Sequence, residues 1–414
     1  MNIMKKRVSP EEVFTPRSHD LNQKTYAERP TLESRLRRAL SGHKYIILYG
    51  ESGNGKTWLY KRVFQASKIQ FEVINLAKMY NEGSLNAVLL AKAGDLGASI
   101  INSEKKEFDI GLRPGGFGGG YKDTIEYKSM PSAPLELLAS QMYIKSGGDM
   151  SVLVLDNFEQ IVDSQDFIRQ IASLIISADD EFVARNKIKI VIVGTPTNIR
   201  DMISKVSNAT TISNRVVEIP EVARLELAEA RHIMSQGFEN YLNLTYVIDK
   251  NALYKTIAYK TDRIAQHVQE LCLKIAQNAV ENNRLVTDKV VIEAEREWME
   301  ETLSADLAVV ESLMNSQRTK VGRKNQVIYC LGMMDLEDFN HHQVEKQLRS
   351  TFPVEQELNL NIPQTLAGFC KADTPLIRKT GARGSRYRFC SPKMKMVIRT
   401  RLKLASDNSV IRAS

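Results

Sequence analysis

Cysteine is scarce in this chain. There are four in 414 residues, Cys272, Cys330, Cys370 and Cys390, and no two are close in sequence. That spacing indicates neither a zinc site nor a disulfide framework, and a reducing, cytosolic setting is the simplest expectation. Long apolar runs are missing too. No stretch approaches the roughly 20 residues that a membrane-spanning helix needs, and Met1 to Arg7 lacks the apolar core of a signal peptide. His341 and His342 are adjacent, but no further ligands stand at metal-binding spacing. Acidic residues are nearly absent from one region. Lys371 to Lys403 holds eleven Lys/Arg and a single acid, Asp373, an excess larger than the whole chain's net charge of +8. Electrostatic arguments therefore belong to the C-terminus, and the rest of the chain is close to neutral.

What is present begins at Tyr45. Tyr45 to Tyr49 is a short apolar and aromatic run that reads as a buried parallel strand. Gly50-x-x-x-x-Gly55-Lys56-Thr57 follows, the full phosphate-binding loop pattern. Gly50, Gly53 and Gly55 let the backbone turn with its N–H groups inward, an anion nest at a helix N-terminus. Lys56 is placed to reach the β- and γ-phosphates of ATP, and Thr57 to offer its hydroxyl to Mg²⁺. Phe71 to Leu76 reads as a second strand. Ser151 to Asp156 is a third, apolar and ending in an acid suited to hold Mg²⁺. Ile188 to Thr195 and Val216 to Ile219 complete a set of five. Between the second and third strands, residues 105–128 contain Pro114 and a glycine cluster, which exclude a helix. They read as a long β-hairpin or flexible insertion: an ordinary surface excursion, or one whose Arg113 and Lys122 touch a substrate strand or a neighbouring subunit.

From Arg224 to about Ser304 the pattern is helical, with helices over Leu225 to Leu242, Asn251 to Ala258 and Asp262 to Val280, and one capped by Thr287 and running past Trp298. Beyond it, Leu307 to Met314, Gln326 to Met334 and His341 to Ser350 have helical spacing, and Gln364 to Cys370 is a further candidate. Two alternating runs, from Pro375 to Thr380 and from Ser385 to Phe389, flank a basic glycine turn and read as a hairpin. Arg383, Arg386 and Arg388 would face outward there, with Tyr387 and Phe389 toward the core.

This order of parts resembles AAA+ P-loop ATPases of the origin-recognition and initiator type, and equally the switch-type signalling ATPases. The resemblance covers roughly residues 20–405 and implies an α/β fold, a P-loop AAA+ parallel-sheet core with a helical lid and a C-terminal winged-helix domain. The expected division is a flexible arm at 1–20, the core at 21–220, the lid at 221–304, the winged helix at 305–405 and a tail at 406–414. The resemblance also implies roles. Tyr26 and Arg29 would wall the base pocket, or else staple the following helix to the sheet. Thr195, with Asn198 second, would sense the γ-phosphate. Arg215 would be a finger reaching a neighbour's ATP, which makes a homo-oligomer with nucleotide-bridged interfaces the expected assembly. Arg263, at the start of the third lid helix, would contact the γ-phosphate, or else be neutralised by Asp262. One departure concerns catalysis. These ATPases usually follow the magnesium acid with a glutamate that orients water; here the residue is Asn157, an amide that cannot act as a base. Glu159 substitutes if the chain bends it back. The catalytic set is then Asp156, Glu159 and Arg215, with slow hydrolysis and ATP held as a state.

Two functions fit. In one, an ATP switch associates with DNA through phosphate contacts of the basic wing, since clustered Lys/Arg on one face suits phosphates and few Asn or Gln are present to read bases. In the other, a regulatory ATPase of a bacterial defence or signalling module docks a separate effector protein. No nuclease, protease or pore-forming segment is recognisable in the chain, so that effector would come from elsewhere.

Overall fold

A computed structural model describes residues 8–98, 134–195, 199–205, 209–315, 323–353, 359–380 and 386–412. The insertion at 105–128, with Arg113 and Lys122, lies outside the described residues, as do Asn198 and Arg383. Contacts divide the chain into two units: Arg29–Ser52 with Lys56–Ala223, and Met1–Glu28 with Gly53–Gly55 and Arg224–Ser414.

The first unit is built on five parallel strands, β1 (Tyr45–Tyr49), β2 (Gln70–Asn75), β3 (Ser151–Asp156), β4 (Ile188–Gly194) and β5 (Val216–Glu218). Their order is β2-β3-β4-β1-β5, and every pairing is parallel, with Ile46 opposite Val191 and Leu155 opposite Ile192. The central strands read as continuous apolar runs because both faces are covered. Ile47, Leu153, Leu155, Ile190 and Ile192 pack under the helices Leu85–Asp95, Pro134–Lys145 and Gln165–Ser177. Ile46, Leu48, Val152, Val154, Val191 and Val193 pack on the other face with Leu36, Leu40, Leu59 and Val63. The alternation of the strand assigns each residue to one of two cores. Such a sheet places its binding crevice at the C-terminal ends of the strands, where the chain order reverses.

The second unit is helical, with Leu227–Ser235, Lys250–Lys260, Ala265–Glu281 and Asp288–Trp298 close to the expected positions. Thr287 caps the last of these through its side chain, as its sequence position implies. The third helix begins later than the spacing suggests. Asp262 and Arg263 both have positive φ, 48° and 57°, so the chain turns twice before the helix starts at Ala265. Residues 8–20 also depart from the expectation of a flexible arm. Pro10–Val13 is a short helix capped by Ser9, and Val13 and Phe14 are buried. The Phe14 ring packs edge-on against Phe238 at 5.2 Å, and a Cβ at Gly237 would overlap it.

The C-terminal part of this unit has the layout of a winged helix. Arg323–Met333, His341–Thr351 and Ile362–Lys371 are helical, and Ile377–Thr380 pairs antiparallel with Arg386–Phe389. Tyr387 and Phe389 are buried as expected. A helix at Pro392–Arg401 follows, and the expected tail is partly ordered: Val410–Arg412 pairs with Leu402–Leu404. That helix turns two of the C-terminal cations inward. Lys395 and Arg399 are buried and meet the Asp262 carboxylate at 3.1 Å and 2.8 Å, with Arg224 joining at 2.6 Å. No helix among the described residues is long and apolar enough to cross a membrane.

Candidate nucleotide site

The loop after β1 is glycine-rich for steric reasons. Gly53 and Gly55 have φ of 81° and 90°, conformations that residues with a Cβ rarely adopt. At Gly50 a Cβ would collide with the Val222 carbonyl oxygen. The helix Lys56–Ala66 starts directly after the loop, so the loop's N–H groups lie at a helix N-terminus. The Lys56 ammonium donates to the carbonyls of Gly50, at 2.7 Å, and Glu51, at 3.1 Å. Burial lowers the Lys56 pKa, opposed by the charges of Glu159, Asp156 and Glu51. The lysine is therefore partly desolvated, and the three nearby acids favour its charged form.

Asp156 ends β3 and accepts the Asn157 N–H at 2.8 Å and the Tyr60 hydroxyl at 3.3 Å. Tyr60 is also hydrogen-bonded to the Thr57 side chain, and its pKa is raised by burial and then by Asp156. One buried phenol thus draws the hydroxyl of Thr57 and the carboxylate of Asp156 together. Oxygen donors from one hydroxyl and one carboxylate fit Mg²⁺, which keeps most of its water and takes few protein ligands. No cluster of three or more His, Cys, Asp or Glu suited to a metal occurs among the described residues. Tyr60 was not singled out by its sequence. Its place three residues after Thr57, hence on the same helix face, is the signal that would have found it.

Asn157 resolves how Glu159 is aimed. It has φ 63° and ψ 45°, left-handed, and leads into a single 3₁₀ turn over Phe158–Gln160. Asparagine tolerates that conformation better than most residues. Phe158 is fully buried and pins the turn. As a result Glu159 comes back to the end of β4, where its carboxylate accepts the Thr195 N–H at 3.1 Å. Lys56, Thr57, Asp156, Glu159 and Thr195 are gathered at the C-terminal ends of β1, β3 and β4.

The remaining expected residues are engaged elsewhere. The Arg29 guanidinium is largely buried and donates to the Ala223 carbonyl at 3.1 Å. Tyr26 is half-buried in the helical unit. Arg215, the last residue of a short helix before β5, pairs with Asp179 at 2.5 Å. Arg263 meets Asp335 at 3.0 Å. In the wing, Arg386 is exposed, while Arg388 pairs with Asp338 at 2.5 Å.

Residues 37–203 match a family described as "AAA domain". The match spans the glycine-rich loop and the first four strands of the sheet. A search of curated proteins finds no match. Among solved structures, the Walker-type ATPase of Pyrococcus abyssi is similar in fold, with a TM-score of 0.51, 13% identity, and 92% of this chain and 99% of that chain covered. The ORC2 protein of Aeropyrum pernix overlays at a TM-score of 0.48 with 13% identity, covering 92% and 96%. Cdc6p from Pyrobaculum aerophilum overlays at 0.46 with 14% identity, covering 94% and 96%. At such identities the likeness concerns fold.

Proposed function

We propose that this chain is an ATP-binding molecular switch with slow hydrolysis that associates with DNA through its C-terminal domain. The observation that carries the nucleotide half is the gathering of Lys56, Thr57, Asp156 and Glu159 around one strand-end crevice. Lys56 and the loop N–H groups would bind the phosphates, and Thr57 with Asp156 would hold Mg²⁺. Glu159 would orient water in place of the amide at Asn157. Its carboxylate already accepts a backbone N–H, which lowers its availability as a base and favours slow turnover. The DNA half rests on the basic wing, with Arg386 exposed on its strand. Fluorescence anisotropy of a labelled duplex with ATP, with ADP and without nucleotide, at two salt concentrations, tests it. Salt-sensitive binding favoured by ATP is expected, and absence of binding in all three states would overturn the DNA half.

The second reading, a regulatory ATPase that docks an effector protein, is favoured by a different observation. Lys395 and Arg399 are internal, and Arg388 is neutralised by Asp338. Fewer C-terminal cations face outward than the sequence count suggests.

A further inference from the structure

The turn that joins the helices Arg323–Met333 and His341–Thr351 carries three acids in four residues, Asp335, Glu337 and Asp338. Each meets arginine. Asp335 is held by Arg263 at 3.0 Å and by Arg224 at 3.1 Å, although its own side chain is 61% exposed. Asp338 takes the Arg388 guanidinium through two nitrogens, Nε at 3.1 Å and Nη2 at 2.5 Å, and accepts the Thr380 hydroxyl at 2.9 Å. Glu337 lies at 3.9 Å from Arg224 and 4.0 Å from Arg388, between the two pairs. Across the hairpin Arg388 stands directly opposite Arg378, a like-charge pairing that would be unfavourable without the acid. The turn is also tied to the wing by backbone. Phe339 and Tyr387 exchange N–H to carbonyl bonds at 2.9 Å and 2.7 Å, so acids and wing move as one piece. A carboxylate accepting a forked guanidinium has the geometry of a phosphate doing so.

We infer that this acidic turn is autoinhibitory toward the wing: Asp338 occupies the Arg388 guanidinium in place of a DNA phosphate. This rests on the proposed reading, in which the basic wing meets DNA phosphates.

The test uses the full chain with Asp335→Asn, Asp338→Asn, Asp338→Asn combined with Arg388→Ala, and Glu345→Gln. The last removes one acid from the same domain, at the Glu345–Arg349 pair outside the turn. Asparagine at 338 keeps an oxygen for Thr380, so the fold has no reason to fail. Asp338→Asn should tighten a labelled duplex about five- to tenfold and steepen its logarithmic salt slope by about one. Adding Arg388→Ala should cancel that gain, and Glu345→Gln should leave affinity near the unmodified level. Asp335→Asn, which leaves the Asp338–Arg388 pair in place, should tighten the duplex less than Asp338→Asn does. No gain from Asp338→Asn, a gain that survives Arg388→Ala, or an equal gain from Glu345→Gln overturns the inference while the DNA reading stands. No duplex binding by any variant at low salt overturns both.

Discussion

Asn157 decides what the catalytic end of β3 can do. Its left-handed conformation is what returns Glu159 to Thr195, so in the proposed reading the position serves geometry and Glu159 orients the water. Glu159→Gln keeps size and hydrogen bonding to the Thr195 N–H but removes the base. ATP binding should persist while turnover falls by about 100-fold or more, read as phosphate release against nucleotide affinity. Unchanged turnover would show that another group orients the water. Lys56→Ala should abolish nucleotide binding itself, because it removes the cation that would meet the β- and γ-phosphates. Binding of labelled ATP, measured directly, checks this separately from hydrolysis. Tyr60→Phe is a subtler case. It removes the phenol that draws Thr57 toward Asp156 and should raise the Mg²⁺ needed for half-maximal ATP binding.

At the scale of elements, the sheet was legible because buried parallel strands are apolar on both faces, and all five lie within a residue or two of their apolar runs. The winged-helix hairpin was legible from alternation around glycines. Three features were not. Val13 and Phe14 form too short a run to announce a docked segment, and their partner Phe238 is over two hundred residues away. The turn at Asp262 and Arg263 depends on two successive left-handed residues, which spacing alone does not reveal. The helix Pro392–Arg401 hides because its cations suggest a surface, while Lys395 and Arg399, four apart on one helix face, are buried against Asp262. That acid answers three cations. Burial, followed by repulsion from Arg399 and Arg224 set against the attraction of Asp262, leaves Lys395 at about 8. Asp262→Ala would leave two buried cations uncompensated and should cost roughly 3–5 kcal/mol, read as a lowered urea midpoint. A loss below about 1 kcal/mol would mean that water reaches the cluster.

The helical unit also carries a pH signature. Burial tends to raise the Glu270 pKa, but hydrogen bonds and charge from His267, then Gln266 and Trp298, outweigh it and hold the carboxyl at about 2. A carboxylate depressed in the fold stabilises it fully above the ordinary value of 4.5 and progressively less as pH falls toward 2. The thermal midpoint should therefore drop across that interval, and Glu270→Gln should flatten this part of the curve.

For the whole molecule, the open question is whether Arg215 acts on a neighbour. In the single chain its guanidinium is held by Asp179 at 2.5 Å, and the Tyr45 hydroxyl donates to the same carboxylate at 3.2 Å. Both partners of the ion pair are partly exposed, so the pair is worth little and a phosphate could replace it. If Arg215 works across an interface, turnover per chain should rise with protein concentration, since each site needs a second copy. Complementation is the sharper test. Lys56→Ala cannot bind ATP but still offers Arg215, whereas Arg215→Ala binds ATP but offers no finger. Each variant alone should be nearly inactive, and mixing them should recover hydrolysis at the interfaces that pair an intact loop with an intact arginine. Arg215→Ala that retains full activity, or a mixture no better than its components, would leave Arg215 as the partner of Asp179 and nothing more.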